Sequence, residues 1–275
     1  MNSAYGTSSA LQRVLTVAKR DLKMQLTYKL QLFLRFSSVG FTILIFLFVS
    51  KLVGDADALA SYQGGYFDFV LVGFAMTSFT LVGMQTFRRT ISTEMSSGTL
   101  EVLLATPNRI GSVLAGALVT PLLISGIEII LYFAIGIGLL GTGLSVQGVL
   151  LAIPLIVLTL LTFSALGILS AAFIVVTKRG DPVTVLLSQA TNFLAGSVFP
   201  ISLLPPALQS LSILVPTYYG LEGTRAVLLA QAGFSDIVDE LLVLMGFTAV
   251  LLPLSLWVMS RSLRFARIMG LLGTG

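Results

Sequence analysis

The chain has 275 residues, 56% of them hydrophobic and 10% charged; soluble domains carry roughly a quarter charged residues, so water is excluded as its main solvent. Cysteine and histidine are both absent, which removes disulfides, thiolate nucleophiles, imidazole bases and the common zinc and haem ligand sets. The net charge is +4, but the basic residues flank apolar runs instead of forming one block, which reads as membrane topology and not as a nucleic-acid footprint.

The first thirty residues lack the short apolar core and small-residue site of a cleavable leader, so the N-terminus is expected to stay in place. Over residues 9–30, Leu11, Val14, Leu15, Leu22, Leu26 and Leu30 recur at helical spacing, with Arg13, Lys19, Arg20 and Lys23 between them. This pattern predicts an amphipathic helix lying on the membrane surface, with residues 1–31 as a cytosolic interface segment. Packing on a soluble domain is the alternative, and the chain has little soluble mass to pack against.

Apolar runs of about the twenty residues needed to cross the hydrocarbon follow at 33–53 and 69–87. Arg35 and Lys51 are placed to snorkel at the two ends of the first. The third run, 110–140, is too long for one perpendicular span, so its start lies in the cytosol or the helix tilts and bends near Pro121. A fourth covers about 149–176 and a fifth 183–199, ending at Pro200.

Beyond it, ISLLPPALQSLSILVPTYYG mixes apolar residues with Pro205, Pro206 and Pro216, which breaks a spanning helix. Residues 201–231 are therefore predicted as short helices, either dipping into the membrane as a re-entrant hairpin or lying at its outer surface. The sixth span is expected at 241–260. The whole is one all-α membrane domain over 1–275, with the six-span region at 32–260 and a cytosolic tail at 261–275.

Of the 16 Lys and Arg residues, all but Lys51 and Arg225 fall in the N-terminal segment, the loops at 88–109 and 178–179, and the tail. The positive-inside bias puts those segments and both termini in the cytosol of a multi-pass protein of the cell membrane. The tail's Arg261, Arg264 and Arg267 share one helical face and suit anionic lipid headgroups, not nucleic acid.

The loop RRTISTEMSSGTLEVLLATPNRIGSVLAG, residues 88–116, is long enough to fold. Charged residues open it, Ser96, Ser97 and Gly98 offer a turn, and a helix-forming stretch then runs to Pro107. Glu94, Glu101, Leu100, Leu103 and Leu104 can fill a partner's groove; an ordinary capped interfacial loop is the alternative.

Within it, E-x-x-x-G-T-L-E-x-L-L-x-T-P, standing as Glu94, Gly98, Thr99, Leu100, Glu101, Leu103, Leu104, Thr106 and Pro107, resembles the coupling-helix region of type-2 ATP-binding-cassette (ABC-2 type) exporter permeases. NFLAGSVFPISLLPPALQSLSILVPTYYGLEGTR, residues 192–225, is similar to that family's Gly-rich fifth span, its FP and LP pairs and its late P-x-x-Y-x-x-E-x-x-R. The resemblance extends over nearly the whole chain. It implies a six-span fold with a coupling helix between spans two and three, and dimerisation with a second copy or a related permease. It also implies two copies of a cytosolic ABC ATPase docked on residues 94–107. No G-x-x-x-x-G-K-[ST] occurs in the chain, so no cofactor is expected in it, and ATP and magnesium belong to the partner ATPase.

Glu128 is the one acid deep in an apolar run, and its sequence neighbours offer no cation. It is a candidate contact on the translocation path, with a hydrogen-bonded structural acid as the alternative. The leading reading is an exporter of a hydrophobic or amphipathic substrate, of drug, lipid or glycan type. An ion-gradient-driven transporter or channel using Glu128 is the first rival, and an intramembrane enzyme, for which no constellation of residues is evident, is the second.

Overall fold

The computed structural model describes residues 10–53, 65–98, 110–140, 146–177 and 182–269. Every regular element among them is helical. α1 (Ala10–Thr27) and α2 (Lys29–Val53) are separated by Tyr28 alone. α3 (Gly65–Ser96), α4 (Ile110–Leu140) and α5 (Val146–Thr177) are long helices. α6 (Pro182–Leu194), α7 (Pro206–Ser212) and α8 (Pro216–Leu229) are short, and the long α9 (Val238–Ile268) follows.

Five helices among the described residues are long and apolar enough to cross a membrane: α2, α3, the Gly116–Ile135 part of α4, α5, and Phe234–Ile268, which contains α9. In hydrocarbon every backbone N–H and C=O needs a partner within the chain, which leaves helices as the way for such runs to cross. Pro121, Pro154 and Pro253 sit inside α4, α5 and α9 without ending them.

Two expectations change in length. The loop expected to open at Arg88 begins later, because α3 continues to Ser96. Phe87 and Ile91 are buried against α5 and α9, so packing holds the last turns helical. The fifth run, expected to span from 183 to 199, is the 13-residue α6 followed by a turn at Gly196, whose φ of +68° is in the left-handed region. Thirteen helical residues reach about 20 Å, short of the hydrocarbon thickness of about 30 Å.

α3 and α5 form the centre. One cluster joins Val72 and Met76 of α3, Ala152 and Leu155 of α5, Leu221 and Leu228 of α8, and Leu241 and Leu244 of α9. A second joins Phe87 and Ile91 of α3, Ile168 and Val175 of α5, and Met259 and Ala266 of α9. The N-terminal halves of these three long helices thus share one cluster and their C-terminal halves the other, so α3, α5 and α9 run in the same direction. Ala195, just past α6, belongs to the first cluster.

Small residues allow close backbone approach within this bundle. A Cβ on Gly167 of α5 would stand 2.6 Å from the Gly83 carbonyl oxygen of α3, and one on Gly148 would stand 2.2 Å from the Val227 carbonyl oxygen. Thr162 and Thr248 hydroxyls pair at 2.8 Å between α5 and α9. Each of these polar groups is satisfied inside the bundle, as a low-dielectric surrounding demands.

The residues expected to form short helices after Pro200 do so. α7 and α8 each begin on a proline, Pro206 and Pro216, in the first turn, where the missing N–H costs nothing. α8 is largely buried against α3, α5 and α9.

Candidate functional site

α1 is not free on a surface. Ala18 is buried, and its carbonyl oxygen accepts a hydrogen bond from Thr120 Oγ1 of α4 at 3.1 Å. The amphipathic pattern therefore serves two environments: one face meets α4, while Leu15, Met24 and Leu26 remain exposed.

Between α1, α2, α3 and α4 lies a cavity of about 700 Å³, open on one side. Glu128 of α4 faces it and is 8% exposed. Its carboxylate accepts from Arg35 of α2: Nε donates to Oε1, and Nη2 donates to Oε2 at 3.2 Å. Arg35 Nη2 also lies 3.4 Å from Ser125 Oγ. Two opposite intramembrane charges are thereby neutralised by a two-point contact, the geometry that best offsets their desolvation.

This corrects the reading of Arg35 as a snorkelling end residue. Glu128 has no cation near it in sequence, but the packing of α2 beside α4 supplies one. The signal available earlier was only complementary sign, one Arg and one Glu each within an apolar run, and it did not say that the two would meet.

Farther along the cavity, Arg89 of α3 lines the wall, and its Nη2 donates to Gln85 Oε1 at 2.5 Å. Arg35 and Arg88 both add to the positive potential there.

Of the expected coupling residues, Glu94 is half-buried in the last turn of α3. Gly98 is exposed and holds φ +66° in the turn that ends α3, with its N–H donating to the Met95 carbonyl oxygen at 3.1 Å. The predicted turn is thus present, and glycine meets its conformational demand. Thr99, Leu100, Glu101, Leu103, Leu104, Thr106 and Pro107 lie outside the described residues.

Arg225, within the stretch expected to dip into the membrane or lie at its outer surface, is 1% exposed. Its guanidinium carbon stands 3.4 Å from the centre of the Phe69 ring. Nη2 donates to the Phe69 and Ser197 carbonyl oxygens at 3.2 and 3.1 Å. A planar cation with fixed donors can occupy a closed site when a ring face and backbone oxygens receive it. Arg225 ties α8 to the start of α3 and to the turn after α6. Its place at the end of the P-x-x-Y-x-x-E-x-x-R run was legible in the sequence; its burial depended on packing.

The Arg35–Glu128 cavity and the Arg225 clamp both place charge within the helical bundle. No curated protein matches the chain in comparison. The family model described as ABC-2 type transporter matches residues 12–229, from α1 to the end of α8. That stretch holds the amphipathic α1, the α3 end with its Gly98 turn, the Arg35–Glu128 pair and the Arg225 clamp. A membrane-crossing helical bundle with this match belongs to the ABC-2 type transporter family, as the permease component of an ABC transporter.

Proposed function

We propose that this chain is the permease subunit of an ATP-driven exporter in the cell membrane. Two permease chains, identical or related, assemble with two copies of a cytosolic ABC ATPase, which bind ATP and magnesium. Residues 94–107 dock the ATPase, with Glu94, Gly98, Thr99, Leu100, Glu101, Leu103, Leu104, Thr106 and Pro107 as the coupling residues. Both termini face the cytosol. The cargo is hydrophobic or amphipathic.

The observation that carries this reading is the position of α3. The candidate docking loop leaves directly from its C-terminal turn, and α3 packs on α2, α4, α5, α6 and α8. Force applied at that turn reaches most of the bundle through one rigid element, which is what a motor on a separate chain requires.

Six crossings fit the same arrangement. α5 ends in the cluster shared with the C-terminal half of α9, while Ala195 lies in the cluster shared with its N-terminal half. The chain between them covers the distance separating the two clusters, and α6 is the element that carries it. The fifth crossing in chain order is then a short helix completed by turns and packed against protein, and α7 with α8 forms the hairpin that returns to α9.

The test is affinity purification of the tagged chain from its native membrane, with mass spectrometry of the partners, for the unaltered chain and Glu101→Arg. An ATP-binding subunit recovered with the first and lost with the second supports the exporter and the docking site together. Recovery with both moves the docking site elsewhere. Recovery with neither, after repeated gentle extraction, overturns the exporter and favours a gradient-driven transporter using Glu128.

A further inference from the structure

We propose that the cavity between α1, α2, α3 and α4 binds the phosphate-bearing headgroup of a single amphiphile drawn from the cytosolic leaflet, with Arg89 as the primary donor. This deepens the exporter reading by naming the chemistry of a ligand, and it rests on the orientation proposed there.

Two arginines, Arg35 and Arg89, and two acids, Asp21 and Glu128, line the cavity. Glu128 is already held by Arg35, and Asp21 of α1 accepts from Arg20 Nε at 2.9 Å. Among the described residues, Arg89 makes its one hydrogen bond to the neutral Gln85 amide oxygen. Among the described residues no acid pairs with Arg89, and Arg88 beside it adds positive charge at that point. A guanidinium fork suits a phosphate in two-point contact. Arg35 uses Nε and Nη2 on its partners, while its Nη1 makes no hydrogen bond among the described residues and remains a second donor.

Size and lining select an amphiphile over a bare ion. A volume of about 700 Å³ falls in the range of organic-ligand sites. Gln25, Gln31 and Ser125 supply neutral polar groups beside the two arginines, while Met24, Leu81 and Val82 supply apolar wall. α1, the amphipathic helix, forms one wall, and Leu30, Phe33 and Leu34 at the start of α2 are exposed. A headgroup can therefore enter at the level of the interface with its tail left among exposed apolar side chains. The cytosolic leaflet is also the anionic one, so the local supply matches the sign of the site.

The experiment uses the intact chain in neutral detergent and equilibrium dialysis with radiolabelled dihexanoyl phosphatidic acid, dihexanoyl phosphatidylcholine and inorganic phosphate. The unaltered chain is expected to bind the phosphatidic acid about tenfold more tightly than the choline lipid. Arg89→Gln is expected to lose about tenfold in that affinity, the loss a single charge-assisted hydrogen bond carries, and Arg89→Lys is expected to fall between. Lys51→Gln, near the far end of α2 and outside the cavity, is expected to bind like the unaltered chain, and equal monodispersity of all variants confirms folding. Equal affinity of Arg89→Gln and the unaltered chain overturns the proposal, as does an equal loss in Lys51→Gln. Displacement of the lipid by inorganic phosphate at equal concentration overturns the amphiphile and leaves a free-anion site. Because binding is read without an ATPase, failure here is distinct from failure to recover that partner.

Discussion

The Arg225 guanidinium carbon lies 3.4 Å from the centre of the Phe69 ring, joining α8 to the first turns of α3 across 156 positions of sequence. The cation is buried, so its ring contact and two carbonyl acceptors replace water at a site with almost none. Arg225→Met removes the charge and both hydrogen bonds and leaves two carbonyl oxygens without this donor. A loss of about 2–4 kcal/mol is expected in reversible unfolding in mixed micelles. Arg225→Lys keeps the charge but not the planar fork and is expected to recover less than half of that loss. Full stability of the methionine variant would show that the clamp contributes nothing.

Gly73 stands beside this clamp. A Cβ there would meet the Ser197 carbonyl oxygen at 1.9 Å and Arg225 Nη2 at 3.1 Å. Gly73→Ala is expected to destabilise by about 1–3 kcal/mol, because backbone must move to admit the methyl. Gly126 of α4 has nothing within 4 Å of the same built atom. Gly126→Ala is expected to be neutral or stabilising by up to about 1 kcal/mol from helix propensity. Comparable losses in the two variants, measured by the same unfolding transition, would refute the close approach at Gly73.

The Arg35–Glu128 pair predicts an asymmetry. The Arg35 side chain is 37% exposed and Glu128's is 11%. Arg35→Gln leaves an enclosed carboxylate with little access to water, whereas Glu128→Gln leaves a guanidinium that can turn outward. The first is expected to cost about 1–3 kcal/mol and the second about half as much. The double variant should cost less than the sum, with a coupling of about 1 kcal/mol. Additive effects in that cycle would remove the pair from the account of stability.

Thr120 Oγ1 holds Ala18 of α1 against α4. Thr120→Val keeps the volume and deletes the donor, which is expected to weaken docking of α1 by about 1 kcal/mol. Local opening of α1 should then rise roughly fivefold. Tryptic cleavage after Arg20 and Lys23, both exposed, reports it. An unchanged cleavage rate would mean that apolar packing alone seats α1.

Membrane class, helical content, most span positions and the family were legible in the sequence for one reason. Transfer between water and hydrocarbon is decided by the composition of a contiguous run, and the Glu94–Pro107 and Pro216–Arg225 spacings are contiguous too. The helices after Pro200 were legible because proline constrains the backbone where it stands. The length of α3 was misjudged at Arg88, since charge there signalled the membrane edge while burial of Phe87 and Ile91 kept the helix going.

What only the tertiary structure decided is which distant groups meet. Arg35 and Glu128 each look like an isolated charge in an apolar run, and Arg225 looks like one more residue of the short helices after Pro200. Pairing the first two depends on how α2 and α4 are set beside one another, and burying the third depends on glycine at position 73 admitting the Ser197 carbonyl. Local sequence determines whether a segment enters the membrane because solvation is additive along the chain. It does not determine the partner of a buried charge, because that energy is gained only when packed helices bring both groups into one low-dielectric site.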